Sequence, residues 1–154
     1  MYKNPVPTVD VILRFVESGQ IPDLTTPIVL IERKNKPFGW ALPGGFVDEG
    51  ERLENAARRE VLEETSCECK LNELLYVYSD PSRDPRSHTV STVFLGTSET
   101  PPEAGDDAAK AALFYLHQLP SEIAFDHRKI LQDYEHFLRT GERPDPQYEY
   151  ETAR

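Results

Sequence analysis

Glu60, Glu63 and Glu64 stand within about one turn of an expected helix, with Glu51 and Arg59 ahead of them. Helix positions three and four apart share a face, so Glu60 and Glu64 project together with Glu63 beside them. Carboxylates crowded in this way repel one another unless a cation joins them, which points to divalent-metal chemistry. At about 100° per residue, Leu53, Ala57 and Val61 form an apolar stripe flanked by Ala56. Glu60 and Glu64 fall inside that stripe and Glu63 falls at its edge. A merely solvated acidic helix would carry its acids on the opposite side. Carboxylates on an inward face are costly unless paired or bound to metal, and all-oxygen ligands favour Mg²⁺ or Mn²⁺ over zinc. A second reading has Arg59 pairing with a neighbouring acid as structural support.

The helix follows a glycine-rich loop. Loop and helix together read Gly45-x5-Glu51-x7-Arg59-Glu60-Val61-x-Glu63-Glu64-x-Ser66-Cys67, which closely resembles the signature of the Nudix hydrolases. The resemblance fills every charged position of this 23-residue segment and departs at Ser66. The family usually has glycine there, at a helix end where positive φ is often needed. Serine at that place changes the cap and removes no metal ligand. The resemblance implies an α/β fold, an α/β/α sandwich with a mixed β-sheet, and hydrolysis of a nucleoside diphosphate linked to another group. It implies that Glu60, Glu63, Glu64 and the carbonyl of Gly44 or Gly45 hold Mg²⁺, with Mn²⁺ as the alternative. Glu51 would assist directly or through water, and Arg59 would hold the glutamates in place. Glu51, Arg59, Glu63 and Glu64 are thus the expected catalytic residues. Divalent ions suit the reaction because they neutralise charge building on diphosphate oxygens and acidify the attacking water.

A second segment, Ser82-Arg83-Asp84-Pro85-Arg86-Ser87-His88, places two arginines around a turn before a strand. It reads either as a polar hairpin loop or as a phosphate clamp, since guanidinium groups bind such oxygens bidentately. Arg83-Asp84-Pro85-Arg86 is similar to the ADP-ribose pyrophosphatase branch of the family. So are Pro37-Phe38-Gly39-Trp40 leading to Leu42-Pro43-Gly44-Gly45, Gly105-Asp106-Asp107-Ala108 and Ala124-Phe125-Asp126-His127. That resemblance implies ADP-ribose plus water giving AMP and ribose 5-phosphate. Arg33, Arg83 and Arg86 are the expected substrate contacts, Arg33 being equally readable as a solvated strand end. Other expectations are a nucleoside triphosphate or dinucleoside polyphosphate substrate, or a non-catalytic ADP-ribose sensor. Phe38 and Trp40 suit either adenine stacking or, for Trp40, the core. Asp106 and Asp107, or Glu99 and Glu103, lie on a loop readable as the seat of a general base or as plain acidic surface. His88 and His127 read as structural.

The elements that must position these residues follow from periodicity. Val9, Val11, Leu13 and Phe15 alternate with Asp10 and Arg14 as a strand, and Ile28–Ile31 is a short buried strand. The segment 40–47 is extended and then broken by glycine. A helix is predicted from Arg52 to Thr65, and strands over 71–78, 89–95 and 111–116. A second helix is expected from an N-cap at Asp126 to Thr140, stopping at Gly141. Strands before, between and after two helices suggest one mixed sheet with helices on its faces. The 154 residues suit one domain, taken as 1–141 with a tail over 142–154 bearing Tyr148 and Tyr150. With 38% apolar and 29% charged residues the composition is that of a soluble globular chain. A net charge of −10 argues against nucleic acid as a partner; a small nucleotide is the partner that the family resemblance implies. No apolar run reaches about 18 residues and no signal pattern opens the chain, so no membrane contact and a cytoplasmic location are expected. Cys67 and Cys69 read as plain thiols. The family resemblance favours a homodimer.

Overall fold

The first strand sets the layers. In β1 (Val6–Phe15), Val9, Val11 and Leu13 point to one side and pack with Ala56, Ala57 and Val61 of α1 (Leu53–Thr65). Ile12 points to the other side and packs with Ile130, Leu131 and Tyr134 of α2 (His127–Thr140). Full burial of such aliphatic side chains stabilises by roughly 1.5–3 kcal/mol each, so each helix is held to its own face of the sheet. The structure, a computed structural model, describes residues 2–105 and 108–147. Asp106, Asp107, Tyr148 and Tyr150 lie outside the described residues.

The sheet has seven strands. Besides β1 they are β2 (Ile28–Arg33), β3 (Trp40–Ala41), β4 (Gly44–Phe46), β5 (Lys70–Tyr78), β6 (Thr89–Ser98) and β7 (Ala108–Phe114). The order is β3-β2-β1-β6-β5, with β4 also on β1 and β7 also on β2. β1 and β6 run parallel, from Val6 opposite Thr89 to Phe15 opposite Ser98, and the remaining pairs are antiparallel. The expected α/β/α sandwich with a mixed sheet is therefore present.

Boundaries differ from the expectations in informative ways. The last strand begins at Ala108, and Leu116 belongs to a short 3₁₀ turn. The extended stretch around the glycines is two short strands, the second laid against β1. Cys67 and Cys69 are free thiols in the connection before β5. Alternating polar residues ordinarily mark a solvent face, yet Asp10 and Arg14 are only 7% and 4% exposed. They lie beneath α2. Arg14 donates to the Gly96 carbonyl (2.6 Å), the Tyr134 hydroxyl (3.2 Å) and Asn72 Oδ1 (3.1 Å). Asp126 occupies the cap position of α2 but its side chain makes no capping bond, because its carboxylate is held elsewhere. Trp40 packs into the α2-side core and meets Phe114 edge-on, ring centroids 4.8 Å apart, which gives it the core role.

Ser66 ends α1 in the left-handed conformation, φ 61° and ψ 15°, with its N–H on the Leu62 carbonyl at 3.0 Å. The glycine-type cap geometry is thus kept without glycine. A side chain in this region costs roughly 1–2 kcal/mol, partly offset by glycine's greater freedom in the unfolded chain. Ser66→Gly is expected to raise stability by about 1 kcal/mol, read as a shift in the urea unfolding midpoint. A lower midpoint would show that the serine side chain supports the cap.

Candidate active site

Two glycines press the loop against the helix. A Cβ on Gly44 would run into the Val9 carbonyl and come within 2.5 Å of Asp10 Oδ1, and one on Gly45 would meet the Glu60 carboxyl at 2.5–2.7 Å. With no side chains there, β4 closes on β1 and on the inward face of α1. The Gly44 N–H donates to Glu64 Oε1 at 2.8 Å. A strap from the other side fixes the helix end. The Glu103 N–H bonds the Thr65 carbonyl (2.8 Å) and the Gly105 N–H bonds the Glu64 carbonyl (3.0 Å), satisfying carbonyls that a helix end leaves open. A Cβ on Gly105 would overlap the Glu63 carbonyl. Glu103 therefore enters through its backbone, with its side chain exposed.

Arg59 is the hub of the carboxylates. Its Nε and Nη2 form a fork on Glu51 (2.7 and 2.9 Å), and Nη1 bonds Glu60 at 2.8 Å and reaches Glu63 at 3.3 Å. Nη2 also reaches the Phe46 carbonyl and lies 3.6 Å from Asp48. The structural-support reading of Arg59 holds, and it is the same residue the family resemblance assigns to holding the glutamates. The Arg59 side chain, followed by the Asp48 N–H region, keeps the Glu51 carboxyl well down, at about 2 against the usual 4.5. Glu51 thus contributes stability above about pH 4.5 that is lost as pH falls toward about 2. Acid unfolding followed by circular dichroism is expected to be steeper in that window for the wild type than for Glu51→Gln. Equal slopes would contradict the fork.

Glu64 behaves oppositely. It is 7% exposed, and burial pushes its carboxyl up to about 8, with Glu60 and Asp10 adding repulsion and the Gly44 N–H and Arg33 opposing it. Among the described residues no three acid, histidine or cysteine side chains converge into a closed ligand set. Arg59 accounts for this, since it engages Glu60 and Glu63. The donors nevertheless fit a hard divalent ion. All are oxygens, Glu60 lies directly against Gly45, and Glu64 is a buried carboxylate with no ion pair among the described residues, Arg33 acting on it only at longer range. Glu63, 42% exposed at its side chain, stands at the rim as its place at the stripe's edge predicted.

Glu60, Glu64, Gly44 and Gly45 line a cleft of about 510 Å³ that also carries Arg33, Arg86 and Phe125. A larger hollow of about 990 Å³ lies by β5 and the end of α2, but it holds none of the three glutamates, so chemistry rather than size selects the smaller one. Arg33 is half-buried at the end of β2, with Nε on the Pro37 carbonyl at 2.7 Å. Arg86 lies at the mouth and forks onto Asp84 (3.0 and 2.8 Å). Burial pushes Asp84 up, yet the hydrogen bonds from the Arg86 side chain and backbone outweigh it and hold Asp84 low.

Arg83 departs from the expected clamp. Its side chain is 3% exposed, and all three guanidinium nitrogens are engaged: Nε and Nη2 on Asp126 (3.0 and 2.8 Å), Nη1 on Thr89 Oγ1 (2.7 Å). A buried guanidinium needs this pairing, so Arg83 ties the β5–β6 loop to the start of α2. Asp10, which the sequence did not single out, lines the same cleft as Glu60 and Glu64. It accepts from Ser91 Oγ at 2.5 Å and faces Arg83 (3.7 Å) and His127 Nε2 (3.5 Å). His127 Nδ1 accepts the Leu42 N–H at 2.9 Å, which leaves the proton on Nε2, toward Asp10. His88 in turn lies on the Ser79 carbonyl at 2.9 Å. The missed signal for Asp10 was a charged residue amid valines on a strand packed on both faces.

The NUDIX domain model matches residues 4–134. An ADP-ribose pyrophosphatase from Methanocaldococcus jannaschii is 46% identical over 137 residues, 87% of this chain and 75% of the relative. An ADPR responsive transcriptional repressor, NtrR, from Acinetobacter baylyi is 32% identical over 138 residues, 85% of this chain, which spans about half (53%) of that relative. The crystallised NUDIX domain of Shewanella oneidensis NrtR, complexed with ADP ribose, superposes with a TM-score of 0.75 at 27% identity, covering 89% of this chain and 90% of that one. Among the described residues no helix is long and apolar enough to cross a membrane. From its carboxylate helix, its glycine-shaped loop and these relatives alike, the chain belongs to the Nudix family of pyrophosphohydrolases.

Proposed function

We propose that the protein hydrolyses ADP-ribose to AMP and ribose 5-phosphate in a reaction that depends on a divalent metal, Mg²⁺ first and Mn²⁺ as the alternative. The observation that carries this reading is one cleft lined by Glu60 and Glu64 together with Arg33 and Arg86. A diphosphate needs both, cation-holding carboxylates and guanidinium groups for its remaining oxygens. Glu60, Glu63 and Glu64, with the Gly44 carbonyl, would hold the metal. When bound, it would neutralise diphosphate charge and acidify water. The chain's own residues do the rest. Arg59 aligns Glu51, Glu60 and Glu63; the Gly44 N–H orients Glu64; Arg33 and Arg86 bind phosphoryl oxygens; Arg83 braces the loop that bears Arg86. A bond forms from the water oxygen to one phosphorus, and the bond from that phosphorus to the bridging oxygen breaks.

The 46% identical ADP-ribose pyrophosphatase supports the substrate. A sensing role without turnover is the second reading, favoured by the likeness to NtrR, though Glu60, Glu63 and Glu64 are all retained here. We take residues 1–141 as the hydrolase unit, acting in the cytoplasm on a small nucleotide, with neither nucleic acid nor membrane as partner. A homodimer belongs to the same reading, supported by Leu74 and Val77, 50% and 46% exposed on the edge strand β5. The test is a substrate panel with Mg²⁺: ADP-ribose, nucleoside triphosphates and dinucleoside polyphosphates compared by kcat/KM. ADP-ribose is expected to lead. A triphosphate in that place would replace the substrate, and no turnover of any member would favour sensing.

A further inference from the structure

Phe125 is a half-buried aromatic residue in the left-handed backbone region, φ 57°. Non-glycine residues with a bulky side chain rarely adopt it, and such outliers persist only where surroundings impose them. Here they do. The Ala124 N–H bonds the Trp40 carbonyl at 2.8 Å, the Trp40 N–H bonds the Glu122 carbonyl at 2.9 Å, and Arg83 grips Asp126 on the other side. The ring so placed meets two cations. The Arg33 guanidinium carbon is 4.8 Å from its centroid and that of Arg86 is 5.2 Å away. Arg86 lies equally close, 5.2 Å, to the ring of Phe46.

Two guanidiniums that share one ring repel each other, and the Arg33 side chain is also partly desolvated. Arg86 has Asp84 as a counter-ion, whereas the terminal nitrogens of Arg33 have no hydrogen-bond partner among the described residues. A ring face attracts both cations and keeps them together at the cleft wall. The group that completes such a pair is an anion with several oxygens.

We propose that Phe125 is a positioning residue for substrate: its ring holds Arg33 and Arg86 as one seat for a phosphoryl group of the nucleotide. The proposal rests on the function proposed above for the identity of that nucleotide, and on the structure alone for the seat. It also gives Arg83 a purpose, since the buried Arg83–Asp126 pair anchors the residue next to Phe125.

The test uses the full chain and inorganic pyrophosphate, titrated calorimetrically in EDTA, together with KM and kcat for ADP-ribose in Mg²⁺. Phe125→Tyr keeps the ring, and Phe125→Leu keeps bulk without it. Wild type and F125Y are expected to bind pyrophosphate alike. F125L is expected to bind about tenfold more weakly, as is R33Q, and F125L should raise KM while leaving kcat and the unfolding midpoint near wild type. F125M replaces F125L if the leucine variant does not fold. Wild-type binding by F125L, equal loss in F125Y, a fall in kcat at unchanged KM, or no pyrophosphate binding by the wild type would each overturn the seat. If pyrophosphate binds as expected but ADP-ribose is not turned over, the substrate reading fails and the seat stands. If ADP-ribose is turned over and F125L matches wild type in both readouts, the seat fails and the substrate reading stands.

Discussion

Glu64→Gln is expected to lower kcat/KM by about a thousand-fold while making the metal-free protein more stable at pH 8. Loss of a ligand that helps hold a charge-neutralising ion removes several kcal/mol of transition-state stabilisation, and about 4 kcal/mol corresponds to a thousand-fold. The stability change comes from the same side chain. The folded protein holds the Glu64 proton up to about pH 8, whereas the unfolded chain releases it near 4.5. Between those values the folded state carries the extra proton, so stability falls as pH rises, by an amount on the order of a few kcal/mol. Glutamine keeps the shape and accepts the Gly44 N–H without bringing a charge. Unfolding midpoints of wild type and variant, without metal, should therefore coincide near pH 4.5 and separate toward pH 8. Mg²⁺ should raise the wild-type midpoint and leave that of the variant unchanged. A variant that still responds to Mg²⁺ and keeps its activity would remove Glu64 from the site.

Arg59→Ala is expected to reduce activity by roughly 10–100-fold, the usual cost of losing a group that orients metal ligands, and to weaken Mn²⁺ binding in parallel. Without the guanidinium, Glu51, Glu60, Glu63 and Asp48 face one another with no shared counter-ion. Arg59→Lys should recover only part of the loss, because one ammonium cannot form the fork on Glu51 and also reach Glu60. Mn²⁺ affinity followed by electron paramagnetic resonance separates this from general unfolding. Full activity and full Mn²⁺ affinity in Arg59→Ala would mean the cluster is ornamental to the chemistry.

The faces of α1 were legible because helical spacing converts directly into which side chains point inward. Glu64 is buried, Glu60 is shielded and Glu63 is at the rim, as the stripe placed them. The layers were legible for a similar reason, since alternation in β1 divides the core between the two helices. Arg83, Asp10, Asp126 and Phe125 were not legible, because their roles depend on partners far along the chain. Arg83 looked like a free cation in a polar loop until Asp126, 43 positions later, was found to hold it. Asp10 has its partners at Ser91 and His127. A helix-cap reading of Asp126 used only its neighbours and missed the guanidinium that takes its carboxylate. Ser66 shows the converse case: the local rule correctly called for positive φ, and the protein adopts it with a residue that resists it.

Phosphorus NMR of ADP-ribose incubated with the protein and Mg²⁺ tests the central claim most directly. The diphosphate signals should give way to two phosphomonoester signals, those of AMP and ribose 5-phosphate, and should persist when EDTA is added before the enzyme. Intact ADP-ribose in the presence of Mg²⁺, or equal cleavage in EDTA, would contradict a metal-dependent diphosphate hydrolase built on Glu60 and Glu64.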